Sequence, residues 1–197
     1  MKYILASGSP RRKELVTQVL EKHKKEFEIV TSKIEEKIQS NNPEEVVVNI
    51  ALQKAKDVFK RLYSNCEEFV VIGGDTIVYF EGEFLGKPKN SEHATKMLDK
   101  MQGKKNEIYT GLAVIIKRKN SVVEETRVTK AEVWMKYMSK QDIQEYVDTL
   151  EPLDKAGAYA IQGIGEKYID YYFGNRNAGI GLDTEKLEEI LKKYKLL

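Results

Sequence analysis

LASGSPRRKEL, spanning Leu5–Leu15, joins a strand to a helix. Lys2–Ala6, leading into it, is a short apolar run of strand type. The small residues Ala6, Ser7, Gly8 and Ser9 then turn the chain. Ser9 can cap a helix with its hydroxyl, and Pro10 suits the first helical position, where no amide hydrogen is needed. Leu15, Val16, Val19 and Leu20 follow at helical spacing and predict a buried face. Strand, turn and helix in succession point to an α/β fold. Arg11 and Arg12 raise a second question. They stand at the helix end where the backbone dipole is already positive, an unfavourable place for cations unless an anion sits there.

The alternation continues along the chain. Phe27–Val30 is a second predicted strand, leading into SKIEEKIQ, which lacks helical periodicity. Asn42-Pro43-Glu44-Glu45 repeats the logic of cap, proline and acidic first turn, and Val47, Ile50, Ala51, Ala55, Val58, Phe59 and Leu62 follow at helical spacing. FVVIGGD predicts a strand that continues through TIVYF to a turn at Glu81-Gly82-Glu83. Ser91 is the expected cap of a helix buried through Ala94, Met97, Leu98 and Met101, with Gly103 ending it. Gly111–Lys117 and Glu124–Tyr137 are predicted strands, the second with Ala131, Val133, Met135 and Tyr137 on one face. Such a pair suits an antiparallel hairpin, so the sheet is expected to be mixed. Ser139 and Asp142 form a capping box for a helix buried through Ile143, Tyr146, Val147 and Leu150. After the glycine-rich GAYAIQGIG, a last helix carries Leu187, Ile190, Leu191 and Tyr194. Without linkers, repeats or low-complexity segments, residues 1–197 are expected to form a single domain.

Composition narrows the anion that the arginines could meet. Lys+Arg 33 against Asp+Glu 31 leaves a net charge of +2, so no bulk field draws the chain to a nucleic acid polymer, and any anion must be held locally. Cys66 is the only cysteine, which excludes an internal disulfide and a cysteine zinc cluster. His23 and His93 are too few for a histidine metal site, leaving an oxygen-ligated metal open. No stretch approaches membrane-spanning length and MKYILASG is too short for a signal peptide, so the expected location is cytoplasmic.

A Gly-Ser-Pro turn at a helix start presents backbone N–H groups to phosphate, and arginine's planar fork matches phosphate oxygens. An ordinary capped helix with two solvated arginines is the competing reading. Lys54 falls within an apolar helical stripe, where it must snorkel out or meet an anion. Lys87, in FLGKPK, is a third cation, with a plain surface turn as its alternative. Asp75 follows an apolar strand and two glycines, where an α/β sheet tends to place a functional carboxylate at its edge and glycine lets a ligand or metal approach the backbone. Glu35 and Glu36 sit in the aperiodic segment. Carboxylates with arginines and lysines are what divalent-metal phosphoryl chemistry uses: acids hold the metal, cations neutralise phosphate oxygens, and one carboxylate can take a proton from water.

LASGSPRR, IGGDTIV, GKP, YTG and EPLDKAGAYAIQG occur in that order. Together they resemble the Maf family of nucleoside triphosphate pyrophosphatases, related in fold to inosine triphosphate pyrophosphatases, over Lys2 to about Leu182. The resemblance implies an elongated mixed β-sheet flanked by helices, two lobes around a central cleft, and a homodimer. It implies hydrolysis of a nucleoside triphosphate between the α and β phosphates with Mg²⁺, Mn²⁺ or Co²⁺. Residue by residue, it puts Ser9 and Arg12, with Arg11 beside them, on the phosphates, Glu36 and Asp75 on the metal, Asp75 in the role of base, and Lys54 and Lys87 in the catalytic set. Arg11, Thr76 and Gln162 resemble the branch acting on dTTP and UTP, with CTP and modified pyrimidine nucleotides as further candidates. A glutamine amide offers a donor and an acceptor to a pyrimidine edge. Two stretches depart from the family pattern: Asp183 stands where a proline is usual, and Tyr168–Asn177 differs from the usual acidic-glycine turn. The rival reading is a nucleotide-binding regulator of cell division without turnover, which would need the cations but not Glu36 and Asp75 together.

Overall fold

β1 (Lys2–Leu5), α1 (Pro10–Glu21) and β2 (Phe27–Ile29) form a strand–helix–strand unit in which the two strands run parallel. The computed structural model describes residues 1–64 and 68–197, so Cys66 lies outside the described residues. α1 starts where its sequence chemistry places it: Ser9 is extended at φ −70° and ψ 121°, its hydroxyl accepts from the Arg12 amide, and Pro10 opens the helix. α2 (Pro43–Leu62) begins on Asn42, whose side chain accepts from the Glu44 amide at 2.9 Å. β3 (Phe69–Phe80) pairs in parallel with β1 and antiparallel with β4 (Glu83–Leu85). After α3 (Ser91–Met101), β5 (Lys105–Arg118) turns through Lys119 and Asn120 into β6 (Ser121–Met135). α4 (Lys140–Asp148), a run of short 3-10 turns, β7 (Ile169–Phe173), α5 (Arg176–Ile180) and α6 (Thr184–Lys193) complete the chain. The strand order is β2-β1-β3-β5-β6-β7, with β4 attached to β3, in one seven-stranded sheet. Parallel pairs at β1 and antiparallel pairs at β4 and β7 make it the mixed sheet expected.

The chain divides into two compact units. The first holds residues 1–75, 110–129 and 181–197, and the second residues 76–109 and 130–180. In the first, Ile4, Ala6, Val71, Ala113 and Ile115 pack against Ala51, Ala55 and Val58 of α2. Glycine sets how close that helix comes. A Cβ on Gly73 would lie 2.5 Å from the Ala51 carbonyl oxygen, and one on Gly111 would lie 2.3 Å from that of Val47. Gly73 therefore serves helix-on-strand packing rather than the approach of a ligand. Strand alternation turns Tyr3 and Leu5 to the other face, and Tyr3 donates its hydroxyl to the Leu196 carbonyl there. Asp183 caps α6: it is 3% exposed, accepts from the Lys186 amide at 3.0 Å and accepts from the Thr129 hydroxyl at 2.6 Å. An aspartate thus starts this helix at the position where the resemblance led to a proline being expected.

In the second unit, Val78, Phe80, Ile108, Ala131, Val133 and Met135 of the strands share a core with Leu98, Met101, Ile143, Tyr146 and Tyr168. The Ser139–Asp142 capping box forms in both directions. Three local expectations are corrected. Asn90, not Ser91, caps α3, because its longer amide reaches the His93 N–H at 2.8 Å. Tyr137 is 78% exposed, since β6 stops at Met135 after a register shift beside Trp134. Leu150 is 62% exposed, because α4 stops at Asp148 and Leu150 takes a left-handed φ of 62°. Most of Tyr168–Asn177 is regular structure, β7 and the start of α5. No helix among the described residues is long and apolar enough to cross a membrane.

Candidate active site

Asp75 lies within β3, just beyond the point where β1 stops pairing with it at Leu5 and Ile72. The strand runs on to Phe80, in keeping with the continuation through TIVYF read from the sequence; it is the neighbour that ends, and the chain leaves β1 through Ser7–Ser9 toward α1. Asp75 is consequently only 7% exposed, yet it is not unpaired. The close seat of α2 brings Lys54 to it, with Nζ donating to Asp75 Oδ1 at 2.7 Å. The same ammonium pairs with Glu36 Oε1 at 2.7 Å. Lys54 thus meets anions instead of snorkelling away from its apolar stripe.

Arg12 completes the cluster from α1. Its Nε donates to the Gly181 carbonyl at 2.9 Å, and its Nη1 to the Ser7 hydroxyl at 3.3 Å. Gly74 leaves room for it, since a Cβ there would meet Arg12 Nε at 3.1 Å. Desolvation lowers the Arg12 pKa, Asp75 pulls it up, Arg11 pushes it down and Glu36 pulls it up. Cations at the positive end of α1 are therefore compensated in part by these two carboxylates. Burial raises the Asp75 pKa above the ordinary carboxylate value, Lys54 and Arg12 pull it down, and Glu36 adds a smaller push upward.

The donor set can be tested for a divalent cation. Among the described residues no three or more histidine, cysteine, aspartate or glutamate side chains gather around a common point. Two carboxylates do converge, on the Lys54 ammonium, which stands where they share a positive charge. One or two carboxylates, with the remaining positions left to water and substrate phosphates, are what magnesium commonly takes from a protein. Glu36 and Asp75 fit that requirement.

Ser9, Arg11, Arg12, Glu36, Lys54 and Asp75 all belong to the first unit. Thr76, Lys87 and Gln162 belong to the second. Thr76 is half-buried in β3, Lys87 is exposed between β4 and α3, and Gln162 is half-buried before a 3-10 turn. Sequence reading missed Ser7 and Gly181, which aim Arg12. Ser7 stood inside the quoted motif; nothing in Gly181 itself advertises a carbonyl acceptor.

The sequence profile of the family described as Maf-like protein matches residues 2–194. The chain belongs to the Maf family. Among its Maf relatives, a protein named dTTP/UTP pyrophosphatase from Bacillus thuringiensis subsp. konkukian (strain 97-27) is 42% identical over 197 residues, covering 99% of this chain and 96% of the relative. Another of that name from Bacillus cereus (strain B4264) is 43% identical over 195 residues, covering 98% and 95%. A solved nucleoside-triphosphatase / dITP/XTP pyrophosphatase from Mycobacterium abscessus overlays with a TM-score of 0.46 at 13% identity, covering 99% of this chain and 95% of that one.

Proposed function

We propose that this Maf chain is a dTTP/UTP pyrophosphatase that cleaves its nucleotide between the α and β phosphates, releasing the monophosphate and pyrophosphate. The observation that carries the reading is the cluster in which one half-buried lysine joins Asp75 to Glu36 while Arg12 stands by at the start of α1. A pure binding protein would need the cations; the paired carboxylates are what hydrolysis adds.

Arg12, aimed by Ser7 and Gly181, holds phosphate oxygens together with Ser9, Arg11 and the backbone N–H groups of the α1 start. Asp75 takes the proton from the attacking water, and its desolvated setting makes it a stronger base than an exposed aspartate. Lys54 holds the two carboxylates in register and favours the ionised form of Asp75. A divalent cation, magnesium, manganese or cobalt, would be held by Glu36 and Asp75 and would supply neutralising charge to the phosphate oxygens. Lys87 adds positive charge to the phosphates, and Gln162, with Thr76 and Arg11, selects the pyrimidine. CTP and modified pyrimidine nucleotides fall within the same chemistry. The chain acts in the cytoplasm as a single pyrophosphatase domain in a homodimer.

The test is product identity. With UTP or dTTP and Mg²⁺ or Mn²⁺, phosphorus NMR should show monophosphate and pyrophosphate growing together. Orthophosphate with a nucleoside diphosphate would overturn the assignment, and the absence of turnover would favour a binding protein.

A further inference from the structure

Residues 30–42, between β2 and α2, form no helix or strand, yet this segment carries Glu36. A segment without its own ladder of hydrogen bonds needs partners elsewhere to hold one conformation. Three side chains of α2 supply them. Arg61 Nη2 donates to the Thr31 carbonyl at 2.7 Å. Asp57 Oδ2 accepts from the Lys33 amide at 3.0 Å. Gln53 Nε2 donates to the Lys37 carbonyl at 3.1 Å while its Oε1 accepts from the Lys37 amide at 3.3 Å.

Gln53, Asp57 and Arg61 recur every fourth residue, so they stack on one face of the helix. The segment meets them in reverse order, Thr31 at the far end and Lys37 at the near end. Gln53 pairs with both backbone groups of one residue, as a neighbouring strand would. Its contact falls beside Glu36 in the segment, and Gln53 itself precedes Lys54 in the helix. Asp57 Oδ2 is held twice, since Arg61 also donates to it at 3.0 Å. Burial alone would raise the Asp57 pKa, but the hydrogen bonds from Lys33 and Ser32 and the charge of Arg61 bring it below the ordinary value.

We infer that Gln53 and Asp57 are positioning residues for the reaction: with Arg61 they lace the irregular segment onto α2 and set the Glu36 carboxylate against Lys54 and Asp75. The inference rests on the proposed role of Glu36 and extends it to residues that touch no substrate.

The experiment combines kinetics, a double-mutant cycle and amide hydrogen exchange in the full chain. Gln53→Ala and Asp57→Ala should each lower kcat about tenfold, the rate equivalent of a lost hydrogen bond or two, with KM for UTP little changed. Asp57→Asn, which keeps a carbonyl acceptor for the Lys33 amide, should restore most of the activity. Exchange at the Lys33 and Lys37 amides should speed up in the alanine variants while the melting temperature of the chain holds. In a Glu36→Ala background, Gln53→Ala should cost nothing further, because the group it positions is gone. A full additional loss in that background, or unchanged exchange and turnover in both alanine variants, would overturn the inference and leave the role of Glu36 standing. Normal turnover by Glu36→Ala alone would instead overturn the role of Glu36 on which the inference rests.

Discussion

Asp75 combines two properties that rarely coexist without cause: it is buried, and it is ionisable. Lys54 and Arg12 keep its charged form accessible against the desolvation that disfavours it. Asp75→Asn preserves size while removing the charge and the basic oxygen. It should lower kcat by about 10²–10⁴-fold, the usual worth of a positioned general base, with a small change in KM for UTP. Arg12→Ala should raise KM as well, since it removes a phosphate partner and takes from the Gly181 carbonyl the Arg12 donor. Pyrophosphate release across a UTP titration separates the two patterns. If Asp75→Asn retained near-normal turnover, the base would have to be Glu36.

α6 shows how an element is held by its end as well as by its apolar face. Leu187, Ile190 and Leu191 are buried, but beyond them Lys193 Nζ and the Tyr194 hydroxyl donate to Glu125 Oε1 of β6 at 2.5 and 2.6 Å. Arg127 donates to the other oxygen at 2.8 Å. The bonds from Lys193 and Tyr194 bring the Glu125 pKa from 4.5 down to about 2, against the upward push of burial. A depressed carboxylate pKa contributes stability above the unfolded value, and this contribution fades as pH falls from 4.5 toward 2. Glu125→Gln should therefore cost about 1 kcal/mol at pH 7, a modest figure because Lys193 is largely solvated. Urea titrations of both proteins from pH 7 down to about pH 3 should show the gap closing below the ordinary glutamate pKa. A gap independent of pH would mean that the glutamate acts through packing alone.

Substrate choice is a property of the whole chain, expressed as relative kcat/KM. A recognition amide left unpaired by the wrong base costs on the order of 1–3 kcal/mol. UTP and dTTP should accordingly be preferred over ATP, GTP and 7-methyl-GTP. Gln162→Glu should erode that preference, because a carboxylate has no donor for a pyrimidine carbonyl. Comparing kcat/KM across these nucleotides for both proteins is the check, and an unchanged ranking would remove Gln162 from base selection. The surrounding loop favours a clean result. Tyr146 Oη accepts from the Ala160 amide at 3.2 Å, and Glu151 accepts from the Ile164 and Gly165 amides at 3.2 and 2.8 Å, so the backbone on both sides of Gln162 has anchors independent of its side chain.

What the sequence determined by itself was local or carried by long motifs. Ser9 with Pro10, Asn42 with Pro43, and Ser139 with Asp142 each start a helix as written, because a cap is satisfied by amides within the next turn and needs nothing distant. The ordered blocks from LASGSPRR to EPLDKAGAYAIQG were enough for family membership. Where local patterns were extrapolated past an element's end, at Tyr137 and Leu150, they failed, since periodicity does not say where a chain turns. Only the tertiary structure decided that Lys54, 21 residues from Asp75, would lie between it and Glu36. That depends on how closely α2 can ride on the strands, which Gly73 and Gly111 permit through contacts with Ala51 and Val47 that no spacing rule reveals. β7 was hidden for the same reason. Its half-exposed aromatic run shows no clean alternation, and it becomes a strand by pairing with β6.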